Sequence, residues 1–145
     1  MAAGEALALA VLGRSYWSVG ATGLSDRYLG AALRIHESAG DLAGQANALG
    51  RLARNAYDAG DPVSALRDFR SSLVLAERAG SRFGQIRLPA YIALSLRLLG
   101  RYEEADHWCE LAIRASREMD FHEGMAIALT CRASLMSDLG STPAR

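Results

Sequence analysis

The sequence predicts an all-α superhelix, a solenoid of seven helices in about three and a half repeats. Three observations carry that prediction. Gly20, Gly60, Gly100 and Gly140 recur at a 40-residue step, and Gly44, Gly84 and Gly124 keep the same step. Apolar and small positions follow it as well: Leu29, Phe69 and Cys109; Ala32, Ser72 and Ala112; Leu33, Leu73 and Ile113. Between the glycines apolar residues recur at three- and four-residue steps, the spacing of a helix face, and no stretch alternates as a strand would. A fixed period of this size means one supersecondary unit stacked on copies of itself. The chain is therefore a single domain, 1–145, with units 6–45, 46–85 and 86–125 and a half-unit 126–145.

The first helix is expected over 3–19 and the second over 23–39, with Asp41 capping the third. That third helix, 43–59, carries Ala46, Leu49, Leu52, Ala53 and Ala56 as one apolar stripe. It breaks at Gly60-Asp61-Pro62, where Gly60 suits a left-handed closing turn, Asp61 can cap and Pro62 fits a first helical position. The fourth helix, 63–79, turns Ala65, Phe69, Ser72, Leu73 and Ala76 inward and stops at Gly80. Phe69, Leu73, Leu52 and Leu49 fall on facing stripes and are expected in the core. Ser81 caps the fifth helix, 83–99, in which Pro89 is a misfit: the helix starts late, near Leu88, or kinks. The sixth runs over 103–119. Asp120, with Glu123 three residues on, forms a capping box for the seventh, 123–139. Gly44, Gly84 and Gly124 fall in first turns, where glycine costs helix stability, so close approach to the preceding helix is the expected reason.

These residues resemble tetratricopeptide repeats. The likeness is carried by Leu12-Gly13, Tyr16 and Gly20 in unit one, by Leu52, Ala53, Gly60, Ala65, Phe69 and Leu73 in unit two, and by Gly100 to Ala105 with Ala112 in unit three. The departures are the 40-residue period in place of 34, Ser25 at a usual alanine, Cys109 at a usual aromatic, and Arg132 at an apolar place. The longer unit is similar to repeats in the C-terminal regions of large bacterial transcription activators. The resemblance implies odd helices on a concave face and peptide capture there. It also implies a part in bacterial transcription regulation.

Composition narrows the functional classes. Formal net charge is zero, from 16 acidic and 16 basic residues, and every basic residue is arginine. That balance makes nucleic acid an unlikely partner class. Apolar stretches such as Ala6 to Leu12 are too short for a bilayer span, and no leader pattern opens the chain. A cytoplasmic protein with no membrane partner is expected. Cys109 and Cys131 lie in apolar helical stretches and read as buried free thiols. His36, His107 and His122 have no ligands at metal spacing, and no phosphate-binding loop is present, so no metal and no cofactor are expected. Asp106-His107-Trp108-Cys109 places His107 and Cys109 on different faces of one helix, which precludes a nucleophile–base pair. No catalytic residue is expected, and the chain does not read as an enzyme.

The arginines carry the positive signal. Over the expected helices the odd set holds six arginines and four acids, the even set seven and nine. Asn47, Arg51 and Arg54 share one helix face. Arg87 and Tyr91 are the equivalents of Asn47 and Arg51 one unit on, while Arg14 and Trp17 match Arg54 and Tyr57. With Arg97 these residues predict a basic groove for a peptide, an acidic one because arginine forks bind carboxylate. The alternatives are a regulatory or structural segment without its own ligand and, less favoured, a nucleic-acid-binding repeat. The half-unit leaves Ile127, Leu129, Met136 and Leu139 partly uncovered, which predicts self-association through that end.

Overall fold

The computed structural model describes residues 2–140. They form seven helices: α1 (Ala2–Ser18), α2 (Thr22–Ala39), α3 (Leu42–Asp58), α4 (Pro62–Ala79), α5 (Arg82–Leu98), α6 (Tyr102–Glu118) and α7 (His122–Gly140). No strand occurs among the described residues, and each expected helix is displaced by about one residue. None is long and apolar enough to cross a membrane.

The joints recur at half the repeat step, twice as often as the first glycine series alone suggests. Gly20, Gly40, Gly60, Gly80 and Gly100 all have positive φ, between 66° and 82°. At each, two backbone bonds close the preceding helix, as where Gly60 N–H meets Tyr57 C=O at 3.0 Å and Asp61 N–H meets Ala56 C=O at 2.9 Å. The sixth joint corrects the expected capping box. Asp120 itself takes the left-handed turn, with φ 54°, so Phe121 stands where Asp41, Asp61 and Ser81 cap. Those three accept from Gly44 N–H at 2.9 Å, Ser64 N–H at 3.1 Å and Gly84 N–H at 3.4 Å. Gly140 ends α7. Pro89 lies buried inside α5, which begins on schedule at Arg82 rather than near Leu88.

The first-turn glycines are contact points. A Cβ on Gly84 would stand 2.8 Å from the Ala76 Cβ, one on Gly124 2.7 Å from Ser116 Oγ, and one on Gly44 would run into the His36 ring. His36, Ala76 and Ser116 share one repeat position, so the same helix crossing recurs three times. Gly30 is the contrast: it lies inside α2, and no atom comes within 4 Å of its added Cβ. Gly30→Ala should therefore raise stability by about 0.5–1 kcal/mol, through lost freedom of the unfolded chain; denaturant melts of the two proteins check it.

The main core joins α3, α4, α5, α6 and α7 around Phe69, Leu73, Ile92, Leu96, Cys109 and Leu135. Leu49 and Leu52 are only half-buried, contrary to expectation. One repeat position shows why: Leu12 is 41% exposed, Leu52 is half-buried and Ile92 is 0% exposed, since helices near the end of a stack have less above them. Ser25, the departure from alanine, is fully buried and accepts a hydrogen bond from Asn55 Nδ2 at 2.9 Å. Asn55 also donates to Asp26 at 2.8 Å, so a satisfied polar pair replaces apolar packing there. Cys109 and Cys131 are buried free thiols whose sulfurs lie 3.2 Å apart. Leu129, Met136 and Leu139 on α7 are exposed, whereas Ile127 packs on the core.

Each helix packs on its neighbours in sequence. Beyond those, the substantial contacts join odd helices, α3 with α5 and α5 with α7. Odd helices thus lie on the inner side of the curve.

A basic, aromatic-lined groove as the candidate functional site

A cavity of about 690 Å³ opens on this inner side, walled by α1, α3 and α5 and floored by Leu29, Phe69 and Ser72 of α2 and α4. Its volume is within the usual range of ligand pockets. Seven of the nine residues expected from sequence line it: Arg14, Trp17, Asn47, Arg51, Arg54, Arg87 and Tyr91. The helical step places them. Asn47, Arg51 and Arg54 stand one turn apart along α3, while Phe83, Arg87 and Tyr91 do so along α5.

Cations and rings alternate across the groove. The Arg54 guanidinium lies 5.6 Å from the Trp17 ring centre and 5.1 Å from that of Tyr91. Arg87 lies 5.7 Å from Tyr91 and 4.9 Å from Phe83. Tyr91 stacks on Phe69 with ring centres 5.3 Å apart, which ties the series to the core. Phe83 in turn meets the edge of Phe121 at 5.7 Å. Such cation–ring contacts contribute about 0.5–1 kcal/mol each when exposed and more when desolvated.

The arginines divide into committed and open ones. Arg54 donates from Nη1 to the Tyr91 hydroxyl at 2.6 Å and from Nε to Asp58 at 3.2 Å. The same Asp58 accepts from Trp17 Nε1 at 3.0 Å. Arg54 thus lines the groove with its charge already answered. Arg14, Arg51 and Arg87 have no ion pair among the described residues. Burial, and then the nearby charges of Arg14 and Arg87, hold the Arg51 guanidinium below the usual arginine range. Like charges held close without ion pairs are costly, and an anion would relieve that cost.

Tyr57 and Arg97, the other two, do not line the cavity. Arg97 Nη1 donates to Asp138 of α7 at 2.8 Å, and Tyr57 packs against the core. Burial pushes the Tyr57 hydroxyl up, and the bond to Asp138 raises Arg97. The reason is an acid within reach: Asp138 draws Arg97 toward α7 and away from the groove.

Sequence reasoning missed Phe83, Asp58 and Glu123. Ala43, Phe83 and Glu123 occupy one repeat position, and all three line the cavity. The 40-residue step from Ala43 would have found them. His107 is exposed, while Cys109 is buried against Cys131, and that bond together with burial holds the Cys109 thiol well above its usual range. Among the described residues no three His, Cys, Asp or Glu side chains group as a metal would need. Chemically, the lining offers forked donors for anions and flat rings for apolar side chains. Compared with known proteins, the chain matches no family model and no curated protein.

Proposed function

We propose that this chain is a protein-interaction module, and that its inner groove holds an acidic peptide or partner segment. The resemblance to tetratricopeptide repeats of bacterial regulators supports that reading, and a cytoplasmic regulatory protein is the setting it implies. The observation that carries it is the convergence of Arg14, Arg51 and Arg87 on one cavity, none of them in an ion pair among the described residues. Arginine forks take carboxylates bidentately, and Trp17, Tyr91 and Phe83 supply flat surfaces for apolar side chains. Affinity for a short segment should be micromolar, on the order of −8 kcal/mol.

The test is capture of a glutamate-rich peptide containing one phenylalanine, followed by Trp17 fluorescence in a Trp108→Phe background. Reversing Arg51 and Arg87 to Glu should abolish capture and leave helical content unchanged. Reversal of Arg67 and Arg70 on α4, already paired with Asp68 and Glu104, should do little. If both double variants lose capture equally, or neither does, the groove is not the binding face.

A further inference from the structure

The open arginines specify more than a negative charge. Arg14, Arg51 and Arg87 come from α1, α3 and α5, so they approach the cavity from three separate helices. A carboxylate is planar and has two oxygens, which one or two forks satisfy. A phosphate monoester presents three terminal oxygens around a tetrahedral centre, and suits three donors arriving from three sides. Charge leads to the same group. Asp58 answers Arg54, and in formal charge the lining's one other acid, Glu123, leaves Arg14, Arg51 and Arg87 in excess by two. Two positive charges remain, which a dianion balances and a single carboxylate does not.

We infer that Arg14, Arg51 and Arg87 form one subsite for a phosphoryl dianion, carried as a phosphate monoester on the segment that occupies the groove. The inference rests on the groove being the binding face. The neighbouring rings of Phe83 and Tyr91 then take the residues flanking the phosphorylated one. Arg51 is held below the usual arginine range by burial and by its two neighbours, a strain that a dianion would lift.

The experiment compares three probes on the whole chain by titration calorimetry: a glutamate-rich peptide with one phosphoserine, the same peptide with glutamate there, and free phosphoserine. The phosphopeptide should bind at least tenfold tighter than its glutamate twin. Its affinity should fall about fourfold from pH 7.5 to 5.5, as the second phosphate charge is lost near pH 6, while the twin changes little. The charged and titratable groups lining the cavity are Arg14, Arg51, Arg54, Arg87, Tyr91 and Glu123, and no histidine is among them, so that pH profile belongs to the ligand. Arg51→Met should remove the preference, and so should Arg14→Met, whose exposed site tolerates change without unfolding. Free phosphoserine binding as tightly as the phosphopeptide supports the subsite and assigns it to a small phosphate ester. Equal binding of the two peptides overturns the inference and leaves the groove reading intact. A phosphopeptide preference that survives both methionine variants likewise overturns the subsite alone. Binding by none of the three probes overturns the subsite and the groove reading together.

Discussion

Phe69→Ala should destabilise the protein by about 3–5 kcal/mol, the cost of emptying a buried aromatic site. Phe69 is 1% exposed at the centre of the main core. Its neighbours come from several helices, so the cavity left behind has no single flexible side chain to close it. For a chain of 145 residues, the loss corresponds to a midpoint lower by about 6–20 °C. Phe69→Leu keeps most of the volume and should cost less than half as much. The effect reaches function because Phe69 stacks under Tyr91, and Tyr91 positions Arg54 and Arg87. Calorimetric melts and Trp17 fluorescence, both in a Trp108→Phe background, test both effects. An unchanged midpoint in Phe69→Ala would remove Phe69 from the core.

Gly84→Val should cost about 2–3 kcal/mol, from overpacking at a helix crossing. The added Cβ meets the Ala76 Cβ at 2.8 Å, and Ala76 is fully buried with no rotamer to change. The backbone of α5 must therefore move away from α4. Arg87 lies about one turn beyond Gly84 and Tyr91 about two, so the groove wall moves with it. Peptide affinity should fall in Gly84→Val even at temperatures where the helices remain formed. Gly84→Ala should show a smaller effect of the same sign, opposite to Gly30→Ala. Equal stability of Gly84→Val and the parent protein in denaturant would show that the crossing is looser than so close an approach implies.

The helices were legible in the sequence because the signals that set them are local. Glycine at a left-handed joint and Asp61 or Ser81 as a cap need only a few residues of context. Asp120 misleads for the same reason: an aspartate before a helix looks like a cap, and the turn's register shows it replacing glycine. Leu52 and Ile92 share one repeat position, yet their burial differs through the number of helices above them, which no local pattern records. At the groove, the 40-residue step found seven lining residues. It did not separate Arg51, which has no ion pair, from Arg54 and Arg97, each of which has one. Asp58 lies four residues past Arg54 on the same helix, a local signal, whereas Asp138 reaches Arg97 only because α7 lies against α5.

Because each helix packs on its neighbours in the chain, and beyond them chiefly odd on odd, most stabilising contacts close short loops. Short loops lose little entropy on closing, so assembly should be fast and able to begin at any adjacent pair. Loss of structure should be graded in the same way. Amides of α1 and α7 should exchange with solvent through partial openings that leave the middle intact. Those of α4 and α5, enclosed on both sides, should exchange only when the whole array comes apart. The groove spans that gradient, with Arg14 and Trp17 on the helix that opens first and Arg87 and Tyr91 on the one that opens last. A ligand bridging the two would slow exchange most in α1, far more than in α5, which gives occupancy of the groove a residue-resolved signature.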